Sequence, residues 1–248
     1  MDYIIVVPSY NRVDIFKKKT LAFLKKHNIG SDKIFVFVAN EEQKSVYNSP
    51  DYITIVGVLG LVPQRNYICN YFPANKLIVS FDDDVDDLVE LDSNDRLQPL
   101  ANLDSFLQEG FKNCLEKNAK LWGAYSTPNA FFMNRKVTTD LKFIIGSFFC
   151  FINTAVIPVI PYGTGEKEDY QRCLAYWERD GIIIRYNNVA VKTNTYKTPG
   201  GLQAGDRLVR EQDTVAKILE RWSHLVSLNT RRKSKYPELL FKRNVAKK

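Results

Sequence analysis

An apolar run, Lys76-Leu77-Ile78-Val79-Ser80-Phe81, ends in three consecutive carboxylates, Asp82-Asp83-Asp84. A buried strand that finishes this way puts its acids at the carboxyl edge of a sheet, where open α/β sheets bind ligands. Three adjacent carboxylates repel one another unless a cation sits among them. A hard divalent ion fits an all-oxygen donor set, and a partner carrying phosphates fits the ion. Alternation along an extended chain turns Asp82 and Asp84 to one side as metal ligands. Asp83 then points away, toward a sugar hydroxyl or a structural partner. Asp86 and Asp87 continue the acidic run, and a helix N-terminus that favours carboxylates would read the same way.

The elements before this triplet alternate. Tyr3-Ile4-Ile5-Val6-Val7 reads as a buried strand stopped by Pro8. A helix over 13–26 carries Val13, Phe16, Thr20, Phe23 and Leu24 on one face and ends at Asn28-Ile29-Gly30. Strands over 33–38 and 52–56 follow, then a short helix over 64–72 with Ile68, Tyr71 and Phe72 facing in. This β-α-β alternation predicts an α/β fold with a mostly parallel sheet flanked by helices. Farther on, 100–115 and 208–226 have a helical period, and 121–125, 143–152 and 182–191 read as strands. No repeat or low-complexity linker divides the chain. The reading is therefore one domain over 1–248: a ligand-binding half over 1–90, an acceptor half over 91–230 and a basic segment over 231–248.

At 248 residues, 45% hydrophobic and 25% charged, the composition is that of a globular protein. No apolar run is long enough to span a bilayer, and no signal peptide is read at Met1-Asp2-Tyr3-Ile4. Cys69, Cys114, Cys150 and Cys173 are scattered without a CxxC pair, which predicts reduced thiols and a cytoplasmic chain. The net charge of +7 favours an anionic partner. From Arg231 onward, Arg231, Arg232, Lys233, Lys235, Lys242, Arg243, Lys247 and Lys248 face a single Glu238. A polyanion contact and a solvated tail both account for that asymmetry.

Two loops join the acidic triplet. Pro8-Ser9-Tyr10-Asn11-Arg12 follows the first strand with a ring, a hydroxyl, an amide and a cation. Gly57-Val58-Leu59-Gly60-Leu61-Val62-Pro63-Gln64-Arg65-Asn66 offers glycines for close approach and a guanidinium at a helix start, a pairing suited to a diphosphate.

The order of VPSYNR near residue 10, QRN near 65 and FDDDV near 82 resembles the nucleotide-sugar transferases of the GT-A fold. The likeness covers about the first ninety residues. It implies an acidic pair some eighty to a hundred residues on, and Gly163-Thr164-Gly165-Glu166-Lys167-Glu168-Asp169 supplies one. In inverting members the aspartate of that pair is the general base. By position this is Asp169, with Glu168 beside it, although Glu166, Glu168 and Asp169 all remain open as the base. The resemblance further implies a GT-A-like, Rossmann-like mixed sheet and a Mn2+ or Mg2+ cofactor on Asp82 and Asp84. The nucleotide sugar, UDP-glucose foremost, would be held by Pro8, Ser9, Tyr10, Asn11, Arg12, Gln64, Arg65, Asp82 and Asp83, with Arg65 neutralising the leaving group.

Ile5 to Tyr10, GLVPQRN, the aspartates, GEKED and Lys197-Thr198-Pro199-Gly200-Gly201 together resemble the base-J and TET-associated glucosyltransferases of phages and kinetoplastids. That likeness implies an acceptor hydroxymethylated on a DNA pyrimidine, a role for Lys197 at the diphosphate and, for a phage-encoded chain, the host cytoplasm. The basic C-terminal segment and the aromatic content suit DNA. Many GT-A enzymes complete the metal shell with a C-terminal histidine. Here only His27 and His224 exist, one ending the first helix and the other read inside the last. A glycan or lipid acceptor, a non-catalytic nucleic-acid-binding module and a metal nuclease are the other readings.

Overall fold

The computed structural model describes residues 1–154, 161–163, 165–193, 206–231 and 233–242. Among them, ten strands form one sheet in the order β3-β2-β1-β4-β9-β7-β10-β5-β6, with β8 pairing β10. Strands β1 (Tyr3–Pro8), β2 (Ile34–Val38), β3 (Ile53–Val56) and β4 (Leu77–Phe81) run parallel. β9 (Phe148–Ile152) lies antiparallel between β4 and β7 (Leu121–Tyr125), which returns β7 to the direction of β4. β10 (Ile184–Thr193) runs parallel to β7 and antiparallel to β5 (Val85–Leu91), and β6 (Leu97–Pro99) closes the far edge. The sheet is thus mixed, parallel through its first half. Because β1 and β4 are parallel neighbours, the loop after Pro8 and the acids after Phe81 emerge at one edge.

Period-two alternation divides the core. Tyr3, Ile5, Val7, Val79 and Phe81 pack with α1 (Val13–Phe16), α2 (Ala22–Lys26) and α5 (Leu103–Lys117). Ile4, Val6, Ile78, Phe149 and Phe151 pack on the other face with α4 (Leu61–Tyr71), α6 (Glu168–Asp180) and α7 (Arg207–Trp222).

Several boundaries differ from the sequence reading. The first helix is interrupted by a π-helical turn, Lys17–Leu21, where Thr20 points its hydroxyl at the Asp82 carbonyl at 2.7 Å. A short helix, α3 (Glu41–Val46), is capped by Asn40 and was not foreseen. α4 starts at Leu61, because Pro63 is tolerated in a first turn, and Tyr71 faces outward at 45% exposure. The strand expected over 143–152 begins only at Phe148, since Gly146-Ser147 turns the chain. Asp86 and Asp87 belong to strand β5, not to a helix start, and pair with Lys19 and Lys26. α7 stops at Trp222, leaving His224 exposed in the turn before β11 (Val226–Leu228), which pairs with β12 (Leu239–Phe241). A two-residue strand, β8 (Val137–Thr138), was also not foreseen.

Candidate active site

The strand ends at Phe81, and Asp83-Asp84 form a turn, so the pleat does not set the directions of the three aspartates. Each acid has its own partner instead. Asp82 Oδ1 accepts from Arg65 Nη2 at 2.8 Å. Asp83 faces inward, between Ser9 Oγ at 2.6 Å and Arg12 Nη1 at 2.8 Å. Asp84 accepts from Arg12 Nη2 at 2.8 Å and from Thr193 Oγ1 at 3.2 Å. Arg12 thus bridges Asp83 and Asp84, and Tyr47 backs it by bonding both Ser9 Oγ at 2.7 Å and the Arg12 N–H at 3.0 Å.

Arg65 is the centre of a second group. Its guanidinium, 4% exposed, donates to Ser80 Oγ, Asp82 and the Gly146 carbonyl, and lies 3.3 Å from Glu168 Oε1. Arg172, one turn along α6, holds Glu168 Oε2 at 2.6 Å while its guanidinium stacks 3.5 Å from the Phe149 ring centroid. The acids after β4 and those opening α6 are therefore joined through one arginine. Arg65 itself is buried beside Asp82 and Glu168.

The three candidate bases separate by their partners. Glu166 is 2% exposed and accepts from Arg210 Nε at 2.7 Å, which ties the loop to α7. Glu168 is neutralised by two guanidiniums. Asp169 accepts only the Tyr170 N–H, at 2.9 Å, among the hydrogen bonds described for it. Burial, reinforced by the Glu168 charge, pushes its carboxyl up to about 6. A carboxyl raised to that value can exchange a proton near neutrality.

The remaining predicted residues fall as follows. Pro8 ends β1 and Ser9 is buried against Asp83. Tyr10 is 47% exposed at the sheet edge. Asn11, with φ +55°, is exchanged in a double hydrogen bond with Gln43 at 2.8 and 2.5 Å. Gln64 spends its amide on the Val58 N–H and the Val38 carbonyl, so it fixes the glycine loop. A Cβ at Gly57 would come within 2.3 Å of its Oε1. Lys197 and its loop lie outside the described residues. His27 is the C-cap of α2, and its Nδ1 accepts from the Leu103 N–H at 3.4 Å.

Thr20, Tyr47, Ser80, Gly146, Arg172 and Thr193 were not foreseen. The i,i+4 spacing of Glu168 and Arg172 could have revealed one pair, and the break at Gly146-Ser147 a turn. Isolated hydroxyls such as Thr193 carry no pattern.

The donor set suits a hard cation. It consists of carboxylate oxygens, and Asp82, 30% exposed, is the most open of the three. Burial, reinforced by Asp84 and Glu168 against the pull of Arg65, raises Asp82 to about 7, so its charged form is short of positive charge. Among the described residues no three His, Cys, Asp or Glu side chains converge into a ready cage. An ion here would share Asp82 and Asp84 with oxygens of a ligand and with water.

No protein-family model matches the chain, and no curated protein sequence matches it either. Solved structures do. Glucosyl-3-phosphoglycerate synthase from Mycobacterium tuberculosis, in complex with Mg2+ and uridine diphosphate, aligns with a TM-score of 0.55 at 10% identity, over 97% of this chain and 86% of that chain. The same enzyme with Mn2+, UDP-glucose and phosphoglyceric acid gives 0.55 at 11% identity, over 98% and 88%. A structure described as a mycobacterial protein gives 0.52 at 10%, over 96% and 83%. The chain has the GT-A-like, Rossmann-type fold of these structures. At such identity the likeness is one of fold.

Proposed function

We propose that this protein is a metal-dependent, inverting glycosyltransferase that uses a nucleoside-diphosphate sugar. The carrying observation is the junction at Arg65, which brings Asp82 and Glu168, and with Glu168 the poised Asp169, to one edge of the sheet. The structures of similar fold that hold UDP with Mg2+, and UDP-glucose with Mn2+, support the choice of donor and ion.

In this reading Asp82 and Asp84 hold Mg2+ or Mn2+, which when bound supplies positive charge against the donor's diphosphate. Tyr10 offers its exposed ring to the nucleotide beside Asn11. Arg12 bridges Asp83 and Asp84 and fixes them in place. Asp169 takes the proton from an acceptor hydroxyl as that oxygen attacks the anomeric carbon and the diphosphate departs with the bonding pair. Arg65 and Arg172 set Glu168, and through the first turn of α6 they set Asp169.

For the acceptor we keep a 5-hydroxymethylpyrimidine in DNA. The sequence resemblance and the net charge of +7 support it, as does an exposed aromatic pair, Phe131 at 86% and Phe132 at 59%, in the loop that leaves β7 at the ligand edge. A small phosphorylated acceptor is the second reading, favoured by the phosphoglyceric acid in the complex of similar fold. The deciding experiment offers labelled UDP-sugars with Mn2+ or Mg2+ to hydroxymethylated DNA, unmodified DNA and phosphoglycerate in parallel. Label on modified DNA alone supports the first acceptor and label on phosphoglycerate the second. No transfer and no donor hydrolysis with any sugar would sink the transferase.

A further inference from the structure

Behind Arg65, between α4, α6 and the sheet, lies a cavity of about 30 Å³ whose wall includes Asn66, Ser80, Phe149, Tyr176 and the two arginines, Arg65 and Arg172. That is room for at least one water-sized species. Both arginine side chains are 4% exposed. Three of their nitrogens are buried without a partner: Arg172 Nε, Arg172 Nη2 and Arg65 Nε.

The pattern of the unused groups is specific. On Arg172, Nη1 is spent on Glu168, while Nε–H and the adjacent Nη2–H form the side-on fork of the guanidinium. That fork grips an anion with two parallel hydrogen bonds. The three buried side-chain nitrogens without a partner on this wall are all donors. An anion accepts from all three donors and has no proton of its own to place. Glu168 is within ion-pair distance of both guanidiniums, and Asp82, the other ion-pair partner of Arg65, is 30% exposed.

We propose that this cavity binds a small monovalent anion, chloride in solution, on the fork of Arg172 with Arg65 Nε–H as the third donor. The site lies under the carboxylate that precedes Asp169, so its occupant stiffens the Arg65–Glu168–Arg172 group from behind. It needs neither a sugar donor nor a divalent ion.

The test uses the whole protein without donor or metal. Crystals grown or soaked in sodium bromide should show an anomalous peak in the cavity between Arg172 and Arg65. At constant ionic strength, replacing gluconate with chloride or bromide should raise the melting temperature by about 2–4 °C once the halide is several-fold above its dissociation constant. Arg172→Lys keeps the charge and loses the fork, and should lose that halide-specific rise. Bromide peaks confined to the surface, or a halide effect of equal size in Arg172→Lys, overturn the site. If Arg172→Lys does not fold, the anomalous peak in the unaltered protein decides. These readouts are independent of turnover, so failure here leaves the transferase reading standing, and the reverse holds too.

Discussion

Arg65 Nη2 lies 2.8 Å from Asp82 Oδ1, across a strand end from an acid seventeen residues away in sequence. The same nitrogen also reaches Glu168, more than a hundred residues away in sequence, at 3.3 Å. One buried cation therefore sets the relative position of the two acidic motifs. Removing one partner of a buried ion pair costs about 3–5 kcal/mol, because the other charge is left uncompensated. Arg65→Met should lower unfolding free energy by that order in urea titration and abolish transfer. A variant with unchanged stability would show that Arg65 is not a buried strut.

Glu166 and Asp169 should behave in opposite ways. Glu166→Gln weakens the tie to Arg210 and is expected to lower the melting temperature while leaving transfer measurable. Asp169→Asn should keep the melting temperature and lose transfer by at least about 100-fold, the usual scale of a general base. Loss of turnover in Glu166→Gln with full activity in Asp169→Asn would reverse the assignment.

The pH profile follows from the same group. A base must be ionised, so transfer should rise with pH through about 6 and then level off. Stability moves the other way. The Asp169 carboxyl is raised from 3.8 in the folded chain, so its contribution is full below about pH 4 and is lost as pH climbs through about 6. The loss amounts to at most about 3 kcal/mol for a shift of this size. Asp169→Asn should reduce the pH dependence of urea unfolding across that window, with Asp82 and Asp83 carrying the rest. An unchanged slope would place the titration elsewhere.

Much of this arrangement was legible because it is periodic or adjacent. Phe106, Phe111 and Cys114 mark α5 by spacing alone, and Leu77–Phe81 announces a buried strand by its apolar run. What escaped depended on partners distant in sequence. Asp86 and Asp87 look like more of the acidic triplet until Lys19 and Lys26 are seen across from them. The turn at Asp83-Asp84 depends on Arg12 and Thr193 and defeats the simple alternation argument. A lone arginine at a helix start gives no sign of Gly146, Ser80 or Glu168 closing over it.

Divalent ions should act through Asp82 and Asp84 together. Mn2+ added to ion-free protein should raise the melting temperature near neutral pH, where Asp82 is otherwise short of positive charge. Asp84→Asn should remove that rise and transfer alike. It should retain a folded chain, because Arg12 still has Asp83 at 2.8 Å. An undiminished Mn2+ response in Asp84→Asn would move the ion off this acid.

Gly146 tests the junction by shape alone. A Cβ built there meets Glu168 Oε1 at 2.2 Å, and the Arg65 guanidinium stands 3.5 Å away. Its carbonyl accepts from Arg65 at 3.0 Å, so the backbone cannot retreat without releasing that hydrogen bond. Gly146→Ala must therefore push the Glu168 carboxylate off Arg65, a rearrangement on the scale of overpacking, about 1–3 kcal/mol. Transfer should fall further than stability, since the displaced residue directly precedes Asp169 on α6. The pairing with Glu168→Gln makes the argument quantitative. If Gly146→Ala acts only by displacing Glu168, the double variant should be scarcely worse than either single one, in both urea unfolding and turnover. Additive losses would mean that Gly146 serves the site through the turn it makes toward Ser147, whose carbonyl accepts the Asp82 N–H at 3.0 Å.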